Sequence, residues 1–160
     1  MSTTTWTQSQ VLGRRQVRRV VSIWLNRFAT DRIRRLQMQT ITASQSNSPL
    51  VTVSAEYGSW TITAVNDEAA ALRLHSGLSL SDARILVPDL KSHEVDNVAD
   101  RKALDLLADS CGRFTPCVAA EANTSGGAAG LFLDISGCEH LFGGEERLLE
   151  ELKSYLKRLG

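Results

Sequence analysis

The chain has 160 residues and a mass of 17.5 kDa, is 42% hydrophobic and 22% charged, and balances 18 basic residues against 18 acidic ones. That composition excludes a disordered or collagen-like chain, and the length allows one ordinary domain or two small ones with a real apolar core. No apolar run approaches the ~18 to 20 residues that span a bilayer, and the total charge lacks the positive excess of a bulk polyanion binder.

The balance conceals two blocks. Residues 1–40 hold eight arginines (Arg14, Arg15, Arg18, Arg19, Arg27, Arg32, Arg34, Arg35) against one acid, Asp31, whereas the remaining 120 residues hold ten bases and seventeen acids. Such asymmetry marks either an anionic partner on one side of the molecule or a solvated strand end and helix face. The Arg-, Ser- and Thr-rich start also resembles an organellar transit peptide, but its apolar piece VVSIWL is too short for a secretory core and reads better as a buried strand.

Residues 1–16 are polar and without period, which predicts a disordered tail. VRRVVSIWL, residues 17–25, is a β-branched run that predicts a largely buried strand, and FATDRIRRLQM follows as a helix with Phe28, Ile33 and Leu36 on one face and arginines on the other. A polar loop over 40–48 leads to PLVTVSA, a turn at Tyr57, Gly58 and Ser59, and WTITAVN as the hairpin partner. Asn66 is placed to cap the helix DEAAALRL, Gly77 lies past its end, and a second short helix, SDARILV, stops at Pro88.

VADRKALDLLADSC predicts an amphipathic helix with Val98, Leu104, Leu107 and Ala108 on its stripe. Pro116 to Ala120 and GLFLDIS read as strands either side of a Gly-rich reversal, NTSGGAAG. In the second strand Leu131, Leu133 and Ile135 face one way while Phe132 and Asp134 face the other. EERLLEELKSYLKRL closes the chain as a helix, with acids first and bases last, where the dipole favours each. The order predicts a mixed α/β domain, an α+β arrangement, with a hairpin and helices inserted after the first strand.

Little of this carries catalytic chemistry by itself. Cys111, Cys117 and Cys138 form no CxxC pair, and a zinc site drawn from them with His140 has loose spacing, so small buried thiols are the better reading. SGGAAG and GGEE lack the Gly-Lys-Ser/Thr of a Walker loop and the three glycines of a dinucleotide fingerprint, and read as turns. No serine sits in a nucleophile elbow, and His75, His93 and His140 lack local partners.

Three stretches together carry a resemblance: VVSIWLNRFATDRIRRL; NDEAAALRLHSGLSLSDARILVPDL; and CGRFTPCVAAEA with GLFLDISGCEHLFGGEERLLEELKSYLKRLG. Over about residues 17–160 the chain resembles the amino-terminal part of a Y-family translesion DNA polymerase, specifically the catalytically inactive, ImuB-like branch. The resemblance implies a palm over 17–38 and 92–160, a fingers insertion over 49–91, and a truncated chain without thumb, little finger or carboxy-terminal region. Polymerases of this kind use two metal ions held by converging carboxylates. The family's carboxylate places fall here on Leu25, Arg27, Ala129 and Gly130, its triphosphate-gripping places on Asp67 and Ala70, and its sugar-selecting aromatic on Thr30.

The implied function is therefore that of a non-catalytic adaptor in DNA repair, translesion synthesis and damage-induced mutagenesis, needing no cofactor. Its implied partners are DNA, an error-prone replicative-type polymerase, a mutagenesis accessory protein and the sliding clamp, without a membrane. The implied location is the bacterial cytoplasm, at the nucleoid. Arg32, Arg34 and Arg35 on one helix are the candidate phosphate contacts. The competing classes are an active nucleotidyltransferase using Mg2+ on relocated ligands such as Asp31, Asp134 or Glu139, and a stand-alone α/β interaction or metal-binding module.

Overall fold

A computed structural model describes residues 18–38, 48–56, 58–122 and 128–159. The expected tail, all but the last residue of the polar loop, Tyr57 and most of the Gly-rich reversal lie outside them. In chain order the elements are β1 (Val20–Leu25), α1 (Phe28–Met38), β2 (Leu50–Glu56), β3 (Ser59–Val65), α2 (Asp67–Ala71), α3 (Leu80–Leu86), β4 (Lys91–Glu94), α4 (Asn97–Cys111), β5 (Val118–Ala122), β6 (Ala129–Asp134) and α5 (Glu145–Leu159), with a 3-10 turn at Glu139–Leu141.

Two three-stranded sheets form. The first is antiparallel in the order β1, β6, β5, so the last strand of the chain lies between the first and the fifth. Leu131 and Leu133 of β6 are fully buried against Phe28 of α1, Leu104 and Cys111 of α4, and Leu148 and Leu152 of α5. Val21, Ile23 and Leu25 of β1 and Val118 and Ala120 of β5 pack onto the same cluster. The helices thus cover one face of the sheet, and the other carries Val20, Trp24 and Phe132 exposed to solvent.

The second sheet has the order β3, β2, β4, with β2 antiparallel to β3 and parallel to β4. Its own core comprises Val51, Val53, Ile62, Ala69, Leu74, Leu80, Ala83 and Leu90. Asn66 ties its parts together: Oδ1 accepts from the Ala69 and Leu50 amides at 2.9 and 3.0 Å, and Nδ2 donates to the Ser48 carbonyl at 3.0 Å. A single buried side chain therefore caps α2 as expected and also fixes the start of β2.

Three expectations change. The inserted unit runs through Glu94 rather than ending at residue 91, because KSHE pairs with β2 as a parallel strand. The helix after Asn66 ends at Ala71, and Arg73 takes a left-handed φ of 63° in the turn that follows. Val98 is 81% exposed: it lies in the first turn of α4, away from the buried stripe of Leu104 and Cys111.

Candidate functional site

Side chains alternate across a strand, so the pairing register decides what the open face of the first sheet presents. Trp24 lies opposite Gly130, and Gly130 opposite Glu121, forming one row across three strands. The next row is Ser22, Phe132 and Ala119, and beyond it Val20 lies opposite Asp134. Strands lie about 4.8 Å apart, so Trp24 and Glu121 flank the glycine with roughly 10 Å between their backbones. A Cβ on Gly130 would meet no atom closer than 3.8 Å, so packing does not demand a glycine there; the glycine is buried, with the edge of the Phe132 ring beside it.

Leu25 and Ala129, two of the places where the resemblance sets metal-binding carboxylates, face each other across the strands. Both point away from the open face: Ala129 is buried and Leu25 packs on the first core. Trp24, Gly130 and Glu121 are the residues that reach that face at this end, and neither Trp24 nor Glu121 was singled out from the sequence. A two-metal site needs several converging carboxylates, and this row supplies Glu121 alone, so these residues do not fit a metal pair.

The alternative acids do not converge either. Asp31 lies on α1, and Glu139 is exposed in the 3-10 turn. Asp134 bonds to the Ser136 amide at 3.1 Å and pairs with Arg18 at 3.2 Å. The Ser136 hydrogen bonds, and then the Arg18 guanidinium, hold its carboxyl below the ordinary value. Among the described residues no group of three or more His, Cys, Asp or Glu side chains is placed to hold a metal ion. Of the thiols expected to be buried, Cys111 is, Cys138 is half-buried and Cys117 is exposed.

An ionic seam is centred on α1, on the helix-covered side of the sheet. Arg27, just before α1, pairs with Asp67, and Arg34 of α1 pairs with Glu68 at 3.8 Å, so two bridges reach α2 of the inserted unit. Arg32 pairs with Asp100 of α4, with only 13% and 15% of the two side chains exposed. Arg35 donates from Nε to the Asp31 carbonyl at 3.4 Å. The candidate phosphate contacts Arg32 and Arg34 are thus committed to carboxylates inside the chain, through partners 68 and 34 residues away that no local pattern announces. Thr30 is fully buried and donates to the Arg27 carbonyl at 3.0 Å, so it presents no surface to a sugar. Arg27 and Asp67, one at a metal place and one at a triphosphate place of the resemblance, hold each other instead; Ala70, the other triphosphate place, is half-buried.

Asp31 lies within this seam. Burial pushes its carboxyl above the ordinary value, against the pull of Arg35, Arg27 and Arg34. The folded state therefore holds this proton more tightly than the unfolded chain does. The group's favourable contribution is full below the ordinary carboxylate range and is lost as pH rises through the raised value. Asp31→Asn should accordingly raise the melting temperature at neutral pH, with the difference closing toward about pH 3, as thermal unfolding at the two pH values will show.

No protein-family model matches the chain. Among solved structures, the post-insertion binary complex of Dbh DNA polymerase overlays on 87% of this chain and 37% of its own, with a TM-score of 0.66 at 16% identity. A Y-family DNA polymerase chimera built on Dbh overlays on 88% of this chain and 38% of its own, with a TM-score of 0.62 at 13% identity. The fold is that of a Y-family DNA polymerase. In sequence the chain is ImuB-like: it is 48% identical over 87 residues to Protein ImuB of Caulobacter vibrioides, a match taking in 54% of this chain and 18% of that protein. The chain thus spans well under half the length of the polymerases it overlays, and the match takes in less still of ImuB. Among the described residues no helix is long and apolar enough to cross a membrane.

Proposed function

We propose that this chain is the palm and fingers part of a non-catalytic, ImuB-like protein that serves as an adaptor in translesion synthesis and damage-induced mutagenesis. The observation that supports the reading is the row Trp24, Gly130 and Glu121 on the open face, which offers one carboxylate where two-metal nucleotidyl transfer uses several converging ones. The Arg27–Asp67 pair supports it, since the residue at that fingers position holds an arginine of the chain and offers no cation to a triphosphate.

DNA is the expected macromolecular partner, in the bacterial cytoplasm at the nucleoid. An error-prone replicative-type polymerase, a mutagenesis accessory protein and the sliding clamp follow from the ImuB likeness. With Arg32 and Arg34 held in less exposed pairs, the phosphate contacts pass to Arg18 and Arg19, whose ion pairs with Asp134 and Glu145 lie at the surface, the arginine side chains 83% and 61% exposed, where a phosphate can replace the carboxylate.

Primer extension tests the catalytic part of the proposal. The purified chain with Mg2+, a primed template and all four nucleoside triphosphates should add no nucleotide. Metal-dependent incorporation that Asp134→Ala abolishes would establish the competing reading, a polymerase with relocated ligands.

A further inference from the structure

We propose that the open face of the first sheet binds single-stranded DNA by stacking its bases on Trp24 and Phe132. The inference rests on the reading above that DNA is the partner, and it names the form of DNA and the residues that meet it.

Trp24 is 66% exposed and Phe132 is 38% exposed, although both lie within regular strands, where large aromatic rings are ordinarily covered. They project from the same face, on adjacent strands and diagonal to each other, because Trp24 lies opposite Gly130 and Phe132 is two residues further along β6. Diagonal neighbours on a sheet are about 7 Å apart, enough for two flat rings to lie side by side. Gly130, opposite Trp24, has no side chain to separate the two rings, and the Phe132 ring edge lies 3.8 Å from where its Cβ would be. A sheet with two exposed aromatics is a known kind of stacking surface for unpaired bases, and it tolerates any sequence because every base has a π-face.

Charge points to the same occupant. The first thirty residues contain five arginines and no acid, and Arg18 and Arg19 immediately precede β1. A strand crossing the face would meet Arg18 and Arg19 at the Val20 end, each in a surface ion pair, with Asp134 and Glu145, that is weak enough for a phosphate to displace. Among the described residues the other acid of the face is Glu121, on β5 at the far edge of the sheet. An apolar peptide would have no use for this arginine excess. A duplex keeps its base faces within its own stack, so it offers the two rings nothing to cover.

The test is an anisotropy titration of the full chain with a labelled oligothymidine, and with a duplex of equal length, at fixed salt. Trp24→Ala and Phe132→Ala should each weaken single-strand binding by about 5- to 150-fold, the loss expected for one stacked base, and leave duplex binding unchanged. Trp24→Phe should retain most of the affinity, which separates stacking from a general disturbance of the strand. Arg18→Ala with Arg19→Ala should weaken both forms and flatten the salt dependence, and Glu121→Gln should strengthen binding. If the chain binds DNA but both alanine variants bind single strands as wild type does, stacking is refuted while DNA remains the partner. If neither form of DNA binds, both readings fall. A change in oligomeric state without a change in DNA affinity would assign the face to a second copy of the chain and overturn the proposal. Both alanine variants replace exposed side chains, and circular dichroism will confirm that they are folded.

Discussion

Arg32→Ala should destabilise the chain by about 3–5 kcal/mol, far more than an exposed arginine is worth. The guanidinium and the Asp100 carboxylate are both largely out of solvent, between α1 and the first turn of α4. Removing the cation leaves a buried carboxylate without its counter-charge, and that desolvation cost, rather than the attraction itself, sets the size of the effect. The same reasoning makes Asp100→Ala comparably damaging. Replacing both by apolar residues of similar volume, Arg32→Met with Asp100→Leu, should recover most of the loss. Urea denaturation of the three variants measures this directly. A phosphate contact at Arg32 would behave in the opposite way, with stability unchanged and DNA affinity reduced.

Much of the fold was legible because its signals are local. The leucine spacing of EERLLEELKSYLKRL, with acids at one end and bases at the other, fixes α5 at its observed bounds, and Asn66 caps α2 as its residue type and position suggest. The strand β4 was not legible: KSHE has no apolar alternation and is held in place by parallel pairing with β2 and by the Lys91 amide on the Pro49 carbonyl. The ionic seam was missed for the same reason, since Arg32 is matched by an acid 68 residues on, and an arginine-rich helix face reads from sequence as a surface for water or phosphate.

The candidate site turned on a single parity. In VVSIWL nearly every residue is apolar, so the period of two is hidden, and Leu25 and Trp24 are equally plausible occupants of the open face. Pairing with β6 decides between them. One signal was present all along: Ser22 is the only polar residue of the strand, and it marks the solvent side that Trp24 shares.

That parity sets up the sharpest contrast, between neighbouring residues of β6. Leu131 is fully buried in the core of the first sheet, with Ile23 and Ala120 beside it on the flanking strands. Leu131→Ala removes three buried carbons from a site whose neighbours, fixed by pairing on both sides, have little freedom to collapse, so it should cost about 2–5 kcal/mol. Phe132 faces the other way, and Phe132→Ala creates no enclosed cavity; its stability cost should remain near 1 kcal/mol, the common range for a partly exposed position. Chemical denaturation with single-strand titrations on the same two proteins should therefore give opposite rankings: Leu131→Ala unstable yet close to wild type in affinity wherever it is folded, Phe132→Ala stable yet weak in binding. If both variants lost stability and affinity together, the two faces of the strand would not be separate, and the open face of the first sheet would be an extension of the core with no role in contacting DNA.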